Sequence, residues 1–76
     1  MSFNVYLTSV QQIKTFVEVA ARQAFEVRVG NDSQSINGKD FMGMFSLDYS
    51  RPVKVFADCS ADEFAAFQKA ILALQS

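Results

Sequence analysis

The sequence predicts an α+β domain, an open-faced two-layer sandwich of order β-α-β-β-α-β-α. Its mostly antiparallel four-stranded sheet should carry the helices on one face. Three observations lead there. Short segments alternating apolar and polar residues recur along the chain. Longer segments repeat apolar residues at helical spacing. Turn and capping signals separate the two kinds, so helices and strands alternate rather than cluster.

Phe3-Asn4-Val5-Tyr6-Leu7 alternates with period two, placing Phe3, Val5 and Leu7 on one face of a first strand. Thr8 and Ser9 are candidate helix caps, and Thr8 with Gln11 or Ser9 with Gln12 each fit capping-box spacing. Val10, Ile13, Phe16, Val17, Ala20 and Ala21 then form the stripe of an amphipathic helix from about Ser9 to Gln23. Phe25-Glu26-Val27-Arg28-Val29 is a second strand, and Gly30-Asn31-Asp32 a turn. Ser33 to Ile36 is a polar third strand, expected at a sheet edge, and Asn37-Gly38 turns the chain again. Asp40 is placed to cap a short helix running to about Leu47, with Phe41, Met42, Met44, Phe45 and Leu47 inside it. After a loop over Tyr49 to Pro52, Val53 to Ala57 is the last strand. Ser60-Ala61-Asp62-Glu63 is a capping box, with Phe64, Phe67, Ile71 and Leu74 forming the stripe of the final helix.

With 76 residues, the chain is expected to be a single domain over residues 1–76. A domain of this size yields a stability of roughly 4–11 kcal/mol. Its 50% hydrophobic content, with eight Phe, is enough for one core without metal or disulfide staples. Cys59 is the only cysteine, so no internal disulfide forms. That usage, with no signal-peptide pattern, predicts a reducing, cytoplasmic setting. No run approaches the ~20 apolar residues that span a bilayer, so no membrane partner is expected. Lys and Arg are scattered in a chain of net charge −1, which argues against nucleic acid as a partner. The sequence holds no histidine, excluding any chemistry that needs one. No metal pattern or glycine-rich phosphate loop is present, and neither a cofactor nor enzymatic activity is expected.

The segment Ile36-Asn37-Gly38-Lys39-Asp40-Phe41-Met42-Gly43-Met44-Phe45-Ser46-Leu47 carries a more specific signal. Asn-Gly-Lys, a small polar residue, an apolar residue and Met-Gly, ending in Ser-Leu, resembles the second signature of the HPr family. These are the phosphocarrier proteins of the bacterial sugar phosphotransferase system. The Phe16-Val17 helix, the Val53 to Ala57 strand and the Ala61-Asp62-Glu63 helix start fall in the family's order, so the resemblance covers nearly the whole chain.

The departures from the family bear on function. Its carrier histidine precedes the first helix and is followed by an Arg-Pro pair, at a helix N-terminus suited to a phosphoryl group. By alignment on Phe16-Val17, Ser9 takes the histidine position, and Gln11 and Gln12 take the Arg-Pro positions. The loop leading there is several residues shorter than usual. A phosphoserine is a stable ester, whereas the relay needs a labile phosphohistidine. The resemblance therefore implies an HPr-like protein without carrier chemistry.

The family's regulatory serine, at the start of the short helix, corresponds to Asp40. Asp40 either imitates the phosphorylated state with permanent charge or is simply an N-cap. The family's partner-docking surface around this helix implies Phe41, Met42 and Phe45 here, against the alternative that they complete the core. The function expected is a protein-binding regulatory module linked to sugar phosphotransfer or carbon regulation. Its partner would be a transcriptional regulator or a phosphotransferase-system component. Two other readings stand beside it: a phosphoacceptor through Ser9 or Ser46, and a structural module whose Phe and Met patch buries itself in a homodimer. Cys59, near a helix start that would favour a thiolate, has no histidine to serve as a base and is read as inert.

Overall fold

A computed structural model describes residues 1–31 and 33–75. Its strands are β1 (Ser2–Val5), β2 (Val27–Gly30), β3 (Ser35–Asn37) and β4 (Val53–Ala57). Its helices are α1 (Val10–Ala21), α2 (Phe41–Met44) and α3 (Ala61–Leu72), the last running into a 3-10 turn, Ala73–Gln75. The sheet order is β1-β4-β2-β3, and all three pairings are antiparallel. This is the architecture expected from the sequence, with the polar β3 at the edge.

Register aligns one apolar row across the sheet. Phe3 faces Val55, Val55 faces Val29, and Val29 faces Ile36. A one-residue slip would turn this row to solvent, so the period-two pattern fixes the pairing. The inward residues Phe3, Val5, Leu7, Val27, Val29, Val53, Val55 and Ala57 are buried against Ile13, Phe16, Val17 and Ala20 of α1 and Phe67 and Ile71 of α3. Phe67 joins the layers. Its ring packs edge-to-face on Phe3 at 6.1 Å, Phe16 at 6.3 Å and Phe25 at 5.6 Å between centroids. Such pairs add about 0.5–1.5 kcal/mol beyond burial. At the start of α3 the capping box is complete. The Glu63 amide donates to Ser60 Oγ at 3.2 Å, and the Ser60 amide donates to Glu63 Oε1 at 3.1 Å.

Several boundaries move, each for a local reason. β1 stops at Val5 because its partner Val53 opens β4 directly after Pro52, which has no amide to extend the ladder. Leu7 nevertheless stays buried. β3 starts at Ser35 rather than Ser33 because the Asn31 carboxamide oxygen takes the Ser33 and Gln34 amides, both at 2.9 Å. Asp32, in the expected turn, lies outside the described residues. Val10 does not join the apolar stripe of α1. As the first helical residue it points outward and is 65% exposed, and Ala21 at the other end is exposed too. Leu74 belongs to the 3-10 turn rather than to α3.

The short helix is one turn, not two. Beyond Met44 the Ser46 amide bonds the Gly43 carbonyl at 3.0 Å and the Ser46 hydroxyl donates to the same oxygen at 2.6 Å, tightening the chain out of the α-helix. The Tyr49 hydroxyl donates to the Met44 carbonyl.

Candidate functional site

The expected site residues fall at the beginnings of α1 and α2, two helices that are in contact. At the first, Ser9 has extended backbone and its hydroxyl oxygen accepts the Gln12 amide at 3.1 Å. Of the two capping registers open in the sequence, Ser9 with Gln12 is the one adopted, but only half of the box forms. The Gln12 carboxamide oxygen reaches past Ser9 to accept the Thr8 amide at 2.7 Å and the Thr8 hydroxyl at 3.0 Å. Its nitrogen donates to the Leu74 carbonyl at 3.1 Å, tying the start of α1 to the chain's end. Gln11 lies on the outer side, within 3.4 Å of the Thr15 hydroxyl. The first turn of α1 contains no acid that could activate Ser9. Ser9 and Gln12 thus cap the start of α1, while Gln11 bonds along the helix to Thr15.

At the second beginning, Asp40 has extended N-cap backbone, yet its side chain makes no capping hydrogen bond. Asp40 thus takes the N-cap position expected from the sequence, without a side-chain bond to the helix. The carboxylate instead lies over the first turn, where Gly43 leaves room: a Cβ on Gly43 would stand 2.9 Å from Asp40 Oδ2. A fixed negative charge is therefore presented at the exposed start of α2.

The apolar residues of α2 divide by face. Met44 is fully buried and anchors the turn. Met42 is 78% exposed, Phe41 43% and Phe45 39%, the two rings meeting edge-to-face at 4.9 Å. The structure thus brings Asp40, Phe41, Met42 and Phe45 together as one exposed surface, leaving Met44 and Leu47 to the core. Of the serines weighed, Ser46 is exposed, and its hydroxyl is engaged with Gly43.

Two residues that hold this surface were not singled out in the sequence. Tyr49 clamps the end of α2 through Met44, and burial pushes its phenol up to about 12. Lys39 Nζ donates to the Gln23 carbonyl at 2.7 Å, fastening the entry to α2 onto the end of α1. The Lys39 bond spans 16 residues, a distance no local spacing encodes, whereas the Tyr49 bond reaches back only five. The helix start does not favour a Cys59 thiolate, because burial, then the nearby Glu63 carboxylate, raises its pKa. No group of His, Cys, Asp and Glu among the described residues could hold a metal ion, and no described helix is long and apolar enough to cross a membrane.

Sheet order, helix placement and the one-turn α2 define an HPr-like open-faced sandwich, and comparison with solved structures agrees. The HPr-C-His protein of Thermoanaerobacter tengcongensis superposes with a TM-score of 0.78 at 23% identity, covering 97% of this chain and 89% of that one. The phosphocarrier protein HPr of Bacillus anthracis str. Ames gives 0.73 at 18% identity, covering 97% and 94%. The catabolite repression containing protein Crh of Bacillus subtilis, described as a swapped, intertwined dimer, gives 0.68 at 27% identity, covering 96% and 84%. No family model and no curated protein matches the sequence. The likeness is one of fold, so function has to be argued from the site.

Proposed function

We propose that this chain is a regulatory, protein-binding member of the HPr type rather than a phosphocarrier. It docks through Asp40, Phe41, Met42 and Phe45 onto a transcriptional regulator or a component of the sugar phosphotransferase system, in the cytoplasm. The observation that carries the reading is the division of α2. A one-turn helix anchored by a fully buried Met44 keeps Met42 at 78% exposure between two half-exposed Phe rings. Exposure of that kind on so short an element suits a partner surface of adaptable and large side chains. Asp40, free of capping bonds, supplies a standing charge at the rim. The absence of histidine from the sequence supports the non-carrier half of the reading.

Intact mass after incubation with phosphoenolpyruvate and the general phosphotransferase tests that half. The expected result is an unchanged mass. Gain of one phosphoryl group would overturn the reading and move the function to Ser9. A second reading, self-association through the same patch, is favoured by the exposed Met42 and by the dimeric state described for the Bacillus subtilis protein. Sedimentation at dilute concentration separates it from a monomeric adaptor.

A further inference from the structure

The outer face of the sheet, opposite the helices, is not flat. Gly30 follows the inward Val29 and faces Lys54 in the register, so its missing side chain lies on the outer face. The Gln34 carbonyl oxygen occupies that place, 2.2 Å from where a Cβ would stand. The β2–β3 hairpin thereby curls over the sheet and builds a wall. The loop before β4 builds the opposite wall, braced where Asp48 Oδ1 accepts the Ser50 amide at 2.9 Å. Between them lies a groove of about 580 Å³, in the size range of small-molecule sites.

The lining has a definite chemistry. Arg51 and Lys54 contribute two cations, and neither forms an ion pair with an acid among the described residues; the ion pair found there is Arg28 with Glu26. Phe56, 45% exposed, stands beside them with Lys54 Nζ 6.0 Å from its ring centroid. Asn4, Gln34 and Ser35 add neutral hydrogen-bonding groups. Asp48 is the acid of the lining among the described residues; it accepts from Ser50 and lies close enough to Arg51 to feel its charge, without forming an ion pair. Paired cations favour a phosphate, amides and hydroxyls favour a polyhydroxylated body, and an exposed ring favours the apolar face of a saturated ring. We propose that this groove binds a phosphorylated sugar, with the phosphate on Arg51 and Lys54 and the sugar ring over Phe56.

Amide NMR titration of the full chain with glucose 6-phosphate tests this, with glucose and inorganic phosphate as comparison probes. Saturable shifts should be confined to residues 30–35 and 48–56. Inorganic phosphate should bind about tenfold more weakly, and glucose alone should give no shift below about 10 mM. The exposed substitutions Lys54→Gln and Phe56→Ser, their spectra otherwise native, should each weaken binding about fivefold or more. The proposal is overturned by absence of shifts, by shifts centred on α1 or α2, or by unchanged affinity in both variants. Equal affinity for inorganic phosphate also overturns it, since that describes an anion patch without recognition of the sugar.

Discussion

The Tyr49 hydroxyl donates to the carbonyl of Met44, so a loop residue closes the end of the one-turn helix that presents Met42 and Phe45. The contact links the core to the exposed surface, because Met44 is buried while its neighbours are not. Tyr49→Phe keeps the ring and removes the bond. We expect a loss of about 1 kcal/mol in urea unfolding, with faster amide exchange at Phe45 and Ser46.

The same residue has a signature in pH. Burial raises the folded phenol to about 12, above the ordinary value near 10. A group whose folded pKa is raised contributes stability that is present below the unfolded value and lost as pH climbs through the folded one. Stability should therefore fall between about pH 10 and 12, by an amount reduced because the ring is only half-buried. In Tyr49→Phe that segment of the curve should flatten, and ultraviolet titration should lose its late phenolate component.

Phe67 tests the core. Its ring touches Phe3, Phe16 and Phe25, which come from the first strand, the first helix and the approach to β2. Phe67→Ala should cost about 3–5 kcal/mol. Against a total of roughly 4–11 kcal/mol, that removes a large share of the stability and should lower the melting temperature sharply. Circular dichroism melting reads this directly.

Gly30→Ala probes the hairpin wall. The added carbon would meet a backbone oxygen, which cannot move aside as a side chain end can. A cost of about 1–3 kcal/mol is expected, with lost exchange protection in β3 and little change in α3.

The sequence made the layers legible and left the fastenings hidden. Strict alternation in Phe3 to Leu7 and Val53 to Ala57 predicted both the inward faces and the antiparallel sheet, and Ser60 with Glu63 predicted the start of α3. Three kinds of residue misled. Val10 is apolar but begins a helix, where its direction is set by the turn rather than by the stripe. Ser46 continued an apolar run that its own hydroxyl and amide terminate at Gly43. Asp40 had a capping identity, but Gly43 gave its carboxylate another place to lie. Lys39 acts across 16 residues, where spacing carries no information, and Tyr49 acts from an irregular loop five residues beyond its acceptor, where no periodic pattern points to it.

Asp40 separates charge from capping. Since its side chain makes no capping bond, Asp40→Ala should lose only the dipole contribution, about 0.3–1 kcal/mol. Partner binding should fall much further, about tenfold, if the carboxylate meets a cation across the interface. Calorimetry on the variant reads both. A large loss of stability with unchanged binding would return Asp40 to a structural role.

The docking surface itself is tested most directly by affinity capture from lysate of the source cell, with the native chain beside a Met42→Asp, Phe45→Ser variant shown to be folded. We predict that the native chain retains a transcriptional regulator or a phosphotransferase-system component and that the variant loses it. Equal retention by both chains, or retention by neither, would contradict docking through α2 and leave self-association as the leading account.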